Sequence, residues 1–312
     1  MEFLEKYGNV SVIDTMMFGF DHYMSAYLIE GRELAIVDTG LPNQTPAVIS
    51  SIQEHGYSPG DISYIFVTHC EHPDHAGNVA PLLKLAPKAK VYINPIGLQW
   101  LTEPEIEAAA RARTLPSKMA ARFGIQEPVP RERIEFLNDG DVIDLGNDTR
   151  LKFIFTSAHQ PSGYVILDEK NSGIFISDLG GNYFSDTDYC LSLHPPRSDF
   201  FQEIEDLKII LELPIEVSYH GHYGIVEKPK EHITRTLDRM QKMIKIGKDC
   251  MEKGTPEEIA PMIDAMNKKE AEKLLPVRGR DLYEYAVQEH IPPQAKSFAE
   301  LFIRWYENNN VS

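Results

Sequence analysis

The chain has 312 residues, 42% of them hydrophobic and 25% charged, with a formal net charge of −16. That is enough apolar material for a sizeable core in one large domain or two ordinary ones. From residue 227 onward 15 basic residues balance 15 acidic ones, so residues 1–226 carry the whole −16, the opposite of the positive footprint that nucleic-acid substrates require.

The first strands read clearly. VSVID (10–14), SAYLI (25–29) and LAIVD (34–38) are apolar and β-branched, and the last two flank Glu30-Gly31-Arg32-Glu33, a hairpin signal. Asp38-Thr39-Gly40 then forms a turn. Residues 45–55 have helical spacing, with Val48, Ile49 and Ile52 on one face. SYIFV (63–67) reads as a buried strand and runs into THCEHPDHAGN, where three histidines, one aspartate and one glutamate fall within seven residues. Three imidazoles on one tight turn repel when protonated and gain little when neutral. A divalent cation removes the conflict, because neutral imidazole and carboxylate are good ligands for Zn, Fe or Mn. Side chains at the carboxyl end of a strand, just before a helix, also converge where open α/β folds place their chemistry.

Thr68-His69-Cys70-Glu71-His72-Pro73-Asp74-His75-Ala76-Gly77 resembles the T-H-x-H-x-D-H-x-G signature of the metallo-β-lactamase fold, with one extra residue. Two registers follow. An insertion between His69 and His72 keeps HPDHAG contiguous and makes His69, His72, Asp74 and His75 the ligands; this register is favoured. The other uses His69, Glu71, Asp74 and His75 and is similar to the H-x-E-x-D-H form of flavodiiron proteins, whose metal is iron. Cys70 is either a thiolate ligand or a small buried filler. The resemblance implies an α/β fold: an αββα sandwich of the metallo-β-lactamase type over residues 1–227, with a helical C-terminal extension, 228–312, packed on it. It also implies that Asp38 is a buried support for the metal loop.

After a short strand at 91–93, residues 96–101 and 104–123 read as helical with a break near Pro116, forming either a pocket wall or a solvated pair. Strands return at 141–145 and 151–155. The second ends in TSAHQP, which makes His159 the next candidate ligand. Residues 163–167 and 173–177 form a hairpin ending in Asp178-Leu179-Gly180-Gly181. An acid at a buried strand end beside glycines can reach two metals, and the resemblance makes Asp178 the bridge. The run HQPSGYVILDEKNSGIFISDLGG is also similar to oxygen-binding di-iron proteins of the same fold. Residues 183–201 read as an aromatic loop lining the pocket, followed by a helix at 202–211 and a strand at 215–218. Next comes YHGHYG, where the resembled fold has P-G-H-G; that alignment makes His222 a ligand and puts His220 at the proline position. From 228 the chain reads as helical, with breaks at Gly254-Thr255, Pro276 and Pro292-Pro293. This tail is expected either to cap the pocket or to make a homodimer contact.

The expected centre thus holds two divalent ions, Zn or Fe with Mn a third candidate. His69, His72 and His159 take one, Asp74, His75 and His222 the other, and Asp178 bridges. A water between two such ions loses its proton near neutral pH. The chain therefore reads as a dinuclear hydrolase of a small ester, thioester, lactone or phosphoester, with Asp74 also passing the proton to the leaving group. The alternative is a di-iron oxygen-binding or sensing protein without hydrolase activity. The residues after 226 do not read as a flavodoxin domain, which argues against an electron-fed reductase. Three widely spaced cysteines suit a reducing compartment. No basic segment precedes an apolar N-terminal run, and no window approaches the ~20 apolar residues of a membrane span. A cytoplasmic protein with a small-molecule substrate and no nucleic-acid or membrane partner is expected.

Overall fold

The computed structural model describes residues 3–114, 121–195 and 197–310; the break expected near Pro116 lies outside them. Two mixed sheets stack face to face. The first runs, in spatial order, β1 (Lys6–Tyr7), β2 (Val10–Asp14), β3 (Ser25–Glu30), β4 (Leu34–Val37), β5 (Ile62–Phe66), β6 (Lys90–Ile93) and β7 (Ile134–Phe136). The second contains β8 (Val142–Gly146), β9 (Thr149–Phe155), β10 (Tyr164–Asp168) and β11 (Gly173–Ser177). A small hairpin, β12 (Asn182–Phe184) with β13 (Tyr189–Leu191), stands apart. Then β14 (Val217–His220) and β15 (Ile225–Glu227) complete the second sheet in the order β15-β14-β11-β10-β9-β8.

Period-two alternation assigns the faces. Along β10, Tyr164 and Ile166 point between the sheets while Val165 points outward; along β11, Phe175 points in while Ile174 and Ile176 point out. Tyr27, Val37, Phe66, Phe153, Phe175 and Tyr219 fill the layer between the sheets. Parallel neighbours need crossovers. β4–β5, β5–β6 and β11–β14 are parallel pairs, bridged among others by helices Thr45–Glu54, Val79–Leu85 and Phe200–Leu211. These helices cover the outer faces and give the αββα layering.

The tail packs on the second sheet. Ile233, Met240, Phe298 and Phe302 share one apolar cluster with Val165, Ile174 and Ile176. Helix Pro229–Lys253 meets helix Ile291–Asn310 where Gly247 has no side chain. A Cβ there would lie 2.5 Å from the Phe302 ring. Leu274, Leu282, Tyr285 and Ile291 form a second contact, with Met17, Tyr23, Phe184 and Tyr223.

Two local expectations are corrected. Residues 183–201 are not all loop: β12 and β13 pair antiparallel there. Helix Phe200–Leu211 starts two residues early because the Asp199 carboxylate caps the amides of Phe201 and Gln202. The breaks expected at Pro276 and Pro292-Pro293 fall within two residues of the starts of helices Leu275–Tyr285 and Ile291–Asn310, whose first turns accept proline. The irregular residue in this region is Gly279, at φ 81°, ψ 178°. Among the described residues no helix is long and apolar enough to cross a membrane.

Candidate metal centre

The carboxyl ends of β4, β5, β9, β11 and β14 meet at one end of the sandwich. Asp38, just after β4, organises the loop that follows β5. Its Oδ1 accepts the Thr68 amide at 2.8 Å, and its Oδ2 lies 2.8 Å from His75 Nδ1. One buried carboxylate thus ties down both ends of the loop. Between them, Pro73 opens the helical turn Pro73–Ala76 and forces His72 into an extended conformation, φ −115°, ψ 130°. His72 therefore leaves the loop in one direction, and Asp74 and His75 in another.

Two groups of donors result. In one, His69, His72, His159 and Asp178 bring one potential ligand atom each within 4.8 Å of one another; in the other, Asp74, His75 and His222 do the same. His69 Nε2 lies 3.1 Å from His72 Nδ1. Asp178 Oδ2 stands between the groups, 3.5 Å from His159 Nε2, 3.3 Å from His75 Nε2 and 3.7 Å from His222 Nε2. Outer contacts orient the rings, as they do around metal ligands. His222 Nδ1 donates to the Tyr23 carbonyl at 3.0 Å, which leaves Nε2 facing Asp178. His72 Nε2 is 3.2 Å from the Gln160 amide. Gly221 separates His220 from His222 because a Cβ there would meet Asp178 Oδ1 at 2.5 Å and His75 Cε1 at 2.8 Å.

The electrostatics fit a cation-binding site. Both nitrogens of His159, Oδ1 of Asp74 and Oδ1 of Asp178 are buried without a hydrogen-bond partner, and such atoms need an explanation. Burial, reinforced by its neighbouring imidazoles, holds His69 well below the usual histidine range. Burial also pulls His159 down to about 3 although Asp178 opposes it. Both rings are thus in the neutral, ligating form. His75 goes the other way: burial is outweighed by Asp178 and Asp38, which raise it well above its ordinary value. Asp178 is held well below the carboxylate range, against burial, by His75 and His222. His75 lies between two buried carboxylates, Asp38 and Asp178, where a divalent ion would neutralise more charge than a proton. The donor set therefore fits two such ions.

Each of the seven residues singled out in the sequence lies in one of the two groups. Glu71 lies in neither. Its side chain turns back into the protein and accepts the Ser162 amide at 2.9 Å, the Ser162 hydroxyl, and the Cys70 amide at 3.1 Å. Cys70 is buried against Gly97, its thiol pushed up by burial and then by Glu71, and it too lies in neither group. His220 Nε2 bonds the Ser218 hydroxyl at 2.9 Å. Reasoning from the sequence missed Gln160, Tyr23, Glu203 and His290. Gln160 stood inside the quoted run beside His159; the other three had no local signal.

Glu203 supports the loop after Asp178. Its Oε1 accepts the Gly180 amide at 2.8 Å, its Oε2 has no partner, and burial pushes its carboxyl up to about 8. A folded value above the unfolded ~4.3 means that the native state holds the proton. The stabilisation is complete below about pH 4.3 and is lost as pH rises through about 8. Glu203→Gln keeps the acceptor and removes the ionisation. Its stability relative to the parent should therefore rise between pH 6.5 and 8, by up to ~1.4 kcal/mol per pH unit, as read from urea melts. A constant difference would show that Glu203 is ionised in the folded protein.

The comparisons agree with this architecture. Residues 21–222 match the family model of the metallo-beta-lactamase superfamily. The chain belongs to that superfamily. Among curated proteins it is 25% identical over 218 residues to a putative diflavin flavoprotein A 3 of Nostoc sp., covering 69% of this chain and 30% of that protein. It is 26% identical over 216 residues to the flavo-diiron protein FprA2 of Clostridium acetobutylicum, covering 69% and 44%. The chain thus spans less than half the length of these relatives. Among solved structures, an archaeal metallo-beta-lactamase superfamily protein of Sulfolobus tokodaii superposes with a TM-score of 0.64 at 23% identity, over 76% of this chain and 87% of that one. A metallo-beta-lactamase family protein of Thermus thermophilus gives 0.63 at 18% identity, over 96% and 94%. At these identities the likeness establishes the fold alone.

Proposed function

We propose that this member of the metallo-β-lactamase superfamily holds two divalent ions and hydrolyses a small ester, thioester, lactone or phosphoester. His69, His72 and His159 would hold one ion, Asp74, His75 and His222 the other, with Asp178 shared. The observation that carries the reading is the donor set itself: imidazoles alone beside the shared acid in the first group, with Glu71 bonded elsewhere. Two carboxylates against two dications leave the pair strongly electron-withdrawing. Such a pair supplies charge that acidifies water near neutral pH and neutralises a developing oxyanion. The protein's own groups do the rest. Asp178 keeps the two groups in register, and the buried, unpartnered Oδ1 of Asp74 is placed to take up and pass on a proton. The proposed setting is cytoplasmic, with a small-molecule substrate and no nucleic-acid or membrane partner.

A second reading, a di-iron oxygen-binding protein, is favoured by the flavo-diiron relatives and by enclosure. Six of the seven groups are buried and only His72 is partly exposed, which suits a small ligand. Metal analysis and an absorption spectrum of protein purified without chelators, run beside turnover of p-nitrophenyl acetate, acetyl-CoA, a lactone and bis(p-nitrophenyl) phosphate, separate the two. The first reading expects about two ions per chain and hydrolysis of at least one probe. Iron, a visible band that responds to oxygen and no hydrolysis would replace it with the second. Trace metal alone would overturn both.

A further inference from the structure

The C-terminal helices reach the centre through a local irregularity. Between helices Leu275–Tyr285 and Ile291–Asn310 lies a π turn, Ala286–His290, a rare form that recurs at functional sites. In a regular α-helix, residues five apart point about 140° away from each other. The wider π turn brings Tyr285 and His290 onto one side, ring centroids 5.9 Å apart. That side faces Tyr23. His290 Nδ1 is 3.0 Å from the Tyr23 hydroxyl, across 267 residues of sequence, and the rings of Tyr23 and Tyr285 meet edge-on at 5.7 Å.

Tyr23 in turn touches the centre twice. Its carbonyl accepts from His222 Nδ1, and its ring lies 5.4 Å from that of His222. Its phenol is raised first by burial and then by Tyr285, with which it shares a side-chain hydrogen bond, and least by the Asp74 carboxylate. His290, lowered to about 4 by burial and then by His222, is pulled the other way by Asp178 and Asp74. The strap carrying Tyr23 is itself strained: Met16, Phe18 and His22 have φ of 55°, 57° and 50°. Left-handed non-glycine residues of this kind cluster at functional sites.

We propose that the C-terminal extension completes the metal centre: His290 holds the Tyr23 phenol over the Asp74–His75–His222 group, so that the Tyr23 O–H donates to an anionic ligand or developing oxyanion bound there. With its proton on Nδ1, His290 donates to the phenol oxygen, and ligand binding draws the phenol hydrogen away from Tyr285, its other side-chain partner. Tyr23 then contacts the ligand, and His290 is a positioning residue that acts through it. The inference rests on the reading of the site as a metal centre.

Azide binding to the cobalt(II)-loaded full-length protein, followed by visible absorption, tests it without a known substrate. Tyr23→Phe and His290→Ala should each weaken azide about tenfold, the effect of losing one hydrogen bond to an anion, with cobalt stoichiometry unchanged. His290→Asn places an amide where Nδ1 was and should restore most of the affinity. Should His290→Ala fail to fold, Tyr23→Phe decides, since it removes one oxygen and keeps the ring. Unchanged azide affinity in Tyr23→Phe, or no rescue by Asn, overturns this inference while leaving the metal centre standing. A parent protein that takes up no cobalt overturns both.

Discussion

Asp178→Ala should empty both metal positions at once and abolish turnover. The cause is geometric: a single oxygen, Oδ2, lies within 3.7 Å of imidazoles from both donor groups. Removing it takes a ligand from each ion and the anion that holds the two cations together. The expected loss is at least ~100-fold in affinity at each position, above the 10–100-fold that outer contacts alone cost. Asp178→Ala should also destabilise the metal-free protein, by ~3 kcal/mol. His75, raised by Asp178 and Asp38, would keep its proton with only one buried carboxylate beside it. Metal content by mass spectrometry and melting with chelator present read the two effects separately. Two retained ions with normal turnover would exclude the shared role.

His72→Ala and Glu71→Ala should fail in opposite ways. Glu71 is fully buried and accepts two amides and a hydroxyl from Cys70 and Ser162. Alanine leaves the Ser162 amide and hydroxyl without that partner, at ~1–3 kcal/mol each before relaxation, while the Cys70 amide still donates to Ser162 Oγ at 2.9 Å. The variant should melt several degrees lower yet still take up metal. His72 is partly exposed and bonds only the Gln160 amide and the neighbouring His69 ring. Alanine there should leave the melting point of the metal-free protein nearly unchanged and cost about one ion per chain. Measured on both variants, metal stoichiometry and melting temperature should cross over. Loss of metal in Glu71→Ala with none in His72→Ala would restore the flavodiiron-like register.

The same two residues also show where the sequence was legible. Strand ends announce themselves, because a β-branched run followed by His or Asp and then Gly or Pro has few other meanings. His159, Asp178 and His222 were singled out in that way, with the resemblance naming their places. The choice between Glu71 and His72 needed more. Pro73 determines where His72 points, but the destination of Glu71 depends on Ser162, which β10 brings alongside from 91 residues away. His290 and Tyr23 were invisible, since neither a π turn nor a contact across 267 residues leaves a periodic trace.

Pro73 leaves one further mark. By leaving His72 partly exposed, it would give the two halves of the centre different lifetimes. A cation held by His69, His72 and His159 would exchange its donors for water beginning at the exposed ring. A cation held by Asp74, His75 and His222 would have only buried donors, with the Tyr23 ring 5.4 Å from that of His222, and would exchange more slowly. The centre would fill from the inside and empty from the outside. When metal is scarce, the half-loaded protein would be the species that accumulates.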